Sequence, residues 1–266
     1  MSGLVIRTAL VRALVTVFCV GLLAPIVIVV IASFSGDGYL KFPPSSFSLH
    51  WYDRFLGDAR WRNALLNSLW IAAMTCVIAT VLGFLAAYAM VRAGFKGKGA
   101  LTAFLLAPLI VPHVVTAIAV YFLSAPWGLI GVKPWIALTH AVVALPVVLV
   151  ILQSALQAVD PNLERAAMIC GCTRFGVFRR VVVPLALPGA ISAALFSFLT
   201  SFDELMISLF LAGVRSETLP VRIWNSLLLE VEPTIAAVST VLIAVTVVAL
   251  LADWGVRRLR GARLAG

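Results

Sequence analysis

The sequence predicts an all-α polytopic membrane protein that crosses the bilayer six times. Three observations carry that expectation. Of 266 residues, 62% are hydrophobic and only 12% charged, at a mean hydropathy of +1.09. A soluble domain carries roughly twice that charged fraction. The apolar residues fall in runs long enough to cross about 30 Å of hydrocarbon. The basic residues sit in short blocks between those runs, as they do when they set orientation against anionic headgroups.

The first span is expected at 13–33, with Pro25 inside it, which a membrane helix tolerates. Arg7 and Arg12 precede it as in a signal peptide, but the run is long enough to span, and retention as a first helix is expected. A polar loop at 34–62 follows, with a short interfacial helix at 51–56, where Trp51 and Tyr52 suit the headgroup level. The second span, 63–91, is overlong and therefore tilted or protruding. The third, 100–123, carries Pro108, Pro112 and His113; the fourth, 135–156, carries His140 and Pro146. The fifth, 181–211, is overlong again and holds Asp203 and Glu204; the sixth covers 234–251. The whole chain, 1–266, reads as one transmembrane domain, with a polar segment at 157–180 between spans four and five.

Six spans place both termini on one face. With that topology, 13 of the 20 Lys and Arg residues fall on the face of the termini and of 157–180. The predominance of positive charge makes that face cytoplasmic, and 34–62 and the acid-bearing loop before span six external. The net charge of +9 is thus assigned to lipid and topology rather than to nucleic acid. Cys19, Cys76, Cys170 and Cys172 have no His or acidic cluster around them, so neither a metal site nor a disulfide framework is expected. No GxSxG, HExxH or Walker-type loop is present, and no catalytic residue is assigned.

Two places remain for function. Asp203 and Glu204 lie inside an apolar run, where a carboxylate costs at least a few kcal/mol unless it meets water or a partner. They read either as a negative lining for a cation path or as a helix cap or ion pair; His113 and His140 each read either as structural or as cavity lining. The second place is 160–188. It opens with Asp160-Pro161, passes an alanine pair and Gly171, sets Phe175 and Phe178 among Arg174, Arg179 and Arg180, and ends at Pro184 and Pro188. Such a segment docks a partner or lies on the lipid surface.

The run Leu163-Glu164-Arg165-Ala166-Ala167, with Gly171, Pro184 and Pro188 at their spacing, resembles the EAA loop of binding-protein-dependent ABC transporter permeases. The run 63–69 resembles the start of the core permease module; 201–204, with Ser208 and Gly213, and the Trp51-Tyr52 pair are similar to the PotC-like subunits of the spermidine/putrescine branch. The resemblance covers about residues 45–255. It implies a cytoplasmic coupling helix between spans four and five, with Glu164, Arg165, Ala166, Ala167, Gly171, Phe175 and Pro184 at the ATPase contact. Asp203, Glu204 and His113 become candidates for the substrate path. The family's usual acid stands where this chain has Arg165, with Glu164 one place before.

The resemblance further implies an ATP-driven importer in a bacterial inner membrane. Its partners would be an ATPase dimer, a second and different permease subunit, and a periplasmic solute-binding protein. ATP-Mg would be bound by the ATPase and no cofactor by this chain. A polyamine is the first choice of solute; ferric ion, thiamine or a phosphonate, or a secondary transporter with no ATPase, are the alternatives.

Overall fold

The structure is a computed structural model that describes residues 2–39, 41–229 and 233–264. Glu230 and Glu232, in the loop expected to be external, lie outside these, as do the side chains of Arg257, Arg258, Arg260 and Arg263. Among the described residues the protein is all helix, with one isolated bridge, Ser35 to Phe47. The chain divides into two compact units, Met1–Arg62 with Ile223–Val245 and Asn63–Arg222 with Thr246–Gly266.

In the first unit, α1 (Ser2–Ala32) runs unbroken through Pro25, and from Leu10 to Ile28 its side chains are exposed. A tight loop follows. Asp37 Oδ2 accepts from the Ser45 amide at 2.9 Å, and Gly36 N donates to Ser46 O at 2.9 Å. Where an interfacial helix is expected at 51–56, the chain forms a helix, α2 (His50–Gly57). It buries Trp51 and Phe55, and the Tyr52 hydroxyl meets Ser33 Oγ at 2.7 Å.

The second unit holds the packed core. The long helix α3 (Ala59–Arg92) buries Ile71, Ala72, Thr75, Ala79, Ala87 and Met90. Steps of three to four residues make one inner stripe and leave Leu66, Trp70, Val77 and Val81 exposed. At its start, Asn67 Nδ2 donates to the carbonyls of Arg215 and Glu217, and Ser68 Oγ accepts from Leu219 N, fixing the connection ahead of α11 (Leu219–Leu229).

The expected third span is not one helix. It is α4 (Lys98–Leu106) and α5 (His113–Ser124), bent 98° apart. Pro108 lies in a 3-10 turn, and Pro112 is extended at ψ 133, so the α ladder cannot pass. Among the described residues five helices are therefore long and apolar enough to cross a membrane, or six if the bent pair is one span.

The centre of this unit is α6 (Lys133–Gln157), which packs along α9 (Val183–Phe202). A Cβ on Gly189 would collide with Ala155 Cβ, so the two backbones approach as closely as small residues allow. Before α9 the chain makes α7 (Pro161–Ile169), α8 (Arg174–Val177) and a π-turn over Phe178–Val182. The π-turn relieves the clash that Pro184 would make with the carbonyl four residues back.

The expected fifth span also breaks. It ends at Phe202, and α10 (Met206–Leu211) follows after Asp203, Glu204 and Leu205. The final helix, α12 (Thr234–Leu264), extends well beyond the expected 234–251.

Candidate functional site

The break between α9 and α10 creates the polar centre of the second unit. Opening the helix frees the first amides of α10, and Glu204 answers them. Its Oε2 accepts from Ile207 N at 2.9 Å and Ser208 N at 3.2 Å. The side chain is almost fully buried, while the adjacent Asp203 is exposed. The pair, expected side by side on a helix, therefore divides: Glu204 is a cap within the protein and Asp203 faces open space. The capping reading holds for Glu204, and both acids still line a cavity.

That cavity has a volume of about 510 Å³ and is lined by His113, Leu199, Thr200, Asp203, Glu204, Leu205 and Met206. His113 reaches it because Pro112 ends one helix and starts the next. As the first residue of α5, it sets Nδ1 at 3.8 Å from Glu204 Oε1, with its side chain half exposed.

Behind Glu204 lies a hydrogen-bonded chain whose proton positions the geometry settles. Thr75 Oγ1 donates to Ala137 O at 3.0 Å, so its single hydrogen is spent. Ser201 Oγ, at 3.1 Å, must then donate to Thr75 Oγ1. His140 Nδ1, at 2.8 Å from Ser201 Oγ, is therefore the donor of that contact. In neutral His140, Nε2 is left to accept from Ser208 Oγ at 3.1 Å. One imidazole thus ties α3, α6, α9 and α10 together, with Glu204 Oε2 at 3.6 Å from Nε2. Every polar atom in this chain is paired, as burial demands.

Sequence reasoning read His140, like His113, as either structural or cavity lining; the structure buries it in this hydrogen-bonded chain. The same reasoning missed Thr75 as a partner, because a threonine in an apolar run carries no mark until the packed helices set it opposite Ser201.

The segment between α6 and α9 is the second feature. Asp160 caps α7 by accepting from Asn162 N at 2.9 Å, and Thr173 Oγ1 caps α8 through Gly176 N at 3.1 Å. Between them Gly171 stands at φ +85, and no atom lies within 4 Å of where a Cβ would stand, so the glycine serves the turn and not a close approach. Arg165, Ala166, Phe175 and Pro184 are exposed, together with Met168 and Ile169.

Ala167 packs partly onto the core. Glu164 is also drawn inward, its Oε1 accepting from Arg92 Nε at 2.7 Å. Phe178, expected beside Phe175 at a partner or in lipid, instead packs edge-on against Phe84 and Tyr88, at centroid distances of 5.8 and 5.1 Å. Only Phe175 of the two projects.

A helical membrane protein with a capped polar break beside a cavity, and a short two-helix segment presented outside its core, has the build of a transport permease. The chain belongs to the family of binding-protein-dependent transport system inner membrane components, whose family model matches residues 79–261. It is a transport subunit and not the enzyme of its system.

The chain is 33% identical to the spermidine/putrescine transport system permease protein PotC of Haemophilus influenzae, over 84% of this chain and 86% of that protein. It is 32% identical to the putrescine transport system permease protein PotI of Escherichia coli, over 87% and 85%. The trehalose transport system permease protein SugB of Mycobacterium tuberculosis is 33% identical over 70% and 68%.

Among solved structures, a bacterial ABC transporter that imports the acidic polysaccharide alginate shares the fold at a TM-score of 0.72. It is 16% identical and covers 95% of each chain. The MetNI methionine ABC transporter shares it at 0.58 and 18%, over 76% of this chain and 98% of that one.

Proposed function

We propose that this chain is one permease subunit of an ATP-driven ABC importer for a small cationic solute, a polyamine, handed over by a periplasmic binding protein. The observation that carries the solute is Asp203, an exposed carboxylate on the wall of a cavity whose other acid, Glu204, is held in place by a cap. A negative wall concentrates cations, and the polyamine systems of PotC and PotI support that choice.

The exposed face of α7 and α8, with Arg165, Ala166, Ile169, Gly171 and Phe175, docks on the ATPase subunits, which bind ATP-Mg. Glu164 and Ala167 shape that face from behind, and the exposed Pro184 follows it in the chain. A second, related permease subunit completes the path. The preponderance of Lys and Arg on one face puts α7, α8 and both termini in the cytoplasm of a bacterium, with the bent α4–α5 pair counted as one of six spans.

From Arg180 to Asp203 the chain rises roughly 30 Å, which sets the acid pair at the opposite membrane face, where delivered solute enters. ATP binding would close the ATPases, draw the coupling segments together and open the path outward; hydrolysis would return it inward.

SugB favours a second reading within the same importer class, a neutral sugar-like solute. Calorimetry on the partner binding protein separates the two. Retention of spermidine or putrescine is expected; retention of a sugar or an anion with no polyamine binding overturns the polyamine assignment.

A further inference from the structure

We infer that Arg92 is a positioning residue for energy coupling, a strut that joins the docking segment to the helix carrying the polar centre. The inference rests on the permease reading above. Arg92 is the last residue of α3. Its Nε donates to Glu164 Oε1 at 2.7 Å, and its Nη2 donates to Val159 O at 2.8 Å. Both side chains of the ion pair are largely buried, 17% and 12% exposed. One guanidinium thus holds α7 through Glu164 and the α6–α7 connection through Val159.

A pair withdrawn from water in this way has little freedom, and removing one partner strands a charge. The same α3 carries Thr75, 17 residues away and hence about 25 Å along the helix axis. Displacement of α7 therefore reaches the Thr75–Ser201–His140 chain through a stiff element rather than through loop.

The strut also changes what the docking face presents. Glu164 spends its carboxylate inside its own chain, so it does not stand in for the acid that Arg165 replaces. Of the charged residues on α7, Arg165 is exposed midway along the helix and Asp160 at its N-cap, so the surface that receives α7 meets a positive group at Arg165.

The test uses the assembled transporter in proteoliposomes, with its ATPase and binding protein, comparing Glu164→Gln, Arg92→Gln and the exchange Arg92→Glu with Glu164→Arg. Each single change is expected to lower solute moved per ATP hydrolysed roughly tenfold while ATPase subunits stay in the purified complex. The exchange is expected to recover most of the loss. Unaltered coupling in both single variants overturns the strut. So does loss of the ATPase from Glu164→Gln with no recovery on exchange, since Glu164 would then face the partner. Should the single variants accumulate too little to assay, Arg92→Lys carries the test. It keeps the charge but not the two-armed geometry; reduced coupling supports the strut, and wild-type coupling overturns it. A wild-type chain that purifies with no ATPase at all is a separate result and overturns the permease reading itself.

Discussion

Asp203 and Glu204 are adjacent in sequence yet differ in environment, and substitution should separate them. Asp203→Asn removes a charge from the cavity wall and no capping bond. Uptake should fall about tenfold, the scale of one charge-assisted contact, with assembled complex unchanged. Equal losses of uptake and assembly would make Asp203 a packing residue. Glu204→Ala leaves the first amides of α10 without their acceptor. It should cost about 1 kcal/mol of stability and lower the melting temperature; Glu204→Gln, which keeps an acceptor, should restore most of it. Asp37 answers to pH. The Ser45 amide, with smaller help from Ser35 and Lys41, holds its carboxyl below the ordinary 3.8. A depressed acid stabilises its loop above the unfolded pKa, and that stability is lost as pH falls through the folded one. The Ser45 amide resonance should titrate with a midpoint under 3.8; a midpoint at or above it would refute the contact.

At the scale of the element, the bends and close approaches matter more than helix lengths. Gly171 turns the chain between α7 and α8 at positive φ, a conformation that costs a side chain about 1–2 kcal/mol. Because open space surrounds it, Gly171→Leu should insert normally but lose ATP-driven uptake through a misdirected α8 and a bulky group on the docking face. Full uptake in that variant would count against the docking role. Gly189 is the opposite case. Its backbone conformation is ordinary, but a side chain there meets Ala155 on α6. Gly189→Leu should therefore separate α6 from α9 and destabilise the folded protein in detergent by about 1–3 kcal/mol, the range for overpacking; an unchanged melting curve would show that the two helices can part without cost. The helix entry at Asp160-Pro161 is legible in the sequence because it depends on neighbours a few residues away; the buried stripe of α3 is not, because its outward face is equally apolar. The 98° bend between α4 and α5 is not legible from Pro108 and Pro112, because a membrane helix often carries proline through, as α1 carries Pro25. Neighbouring packing decides which prolines break a helix.

At the scale of the whole molecule, the proposed orientation rests on charge bias and can be tested with the chain's own thiols. Cys170 is exposed in the turn after α7, whereas Cys19 lies within α1 and Cys76 within α3, both apolar spans. A membrane-impermeant maleimide should label Cys170 in inverted vesicles and not in intact cells; the reverse would invert the topology and move the docking segment away from any cytoplasmic ATPase. The sequence by itself determined the class of molecule, the rough place of each hydrophobic run and the two polar segments that matter. Composition, run length and charge bias act locally and survive without coordinates. Only the tertiary structure decided that Glu204 turns inward while Asp203 does not, that Phe178 is core and Phe175 is not, and that Glu164 belongs to Arg92, 72 positions away. The physical reason is common to the last two, whose partners are distant in the chain, whereas Glu204 caps amides three and four residues on. A buried polar or aromatic group takes whatever partner packing brings to it, and packing is a property of helices far apart in the chain.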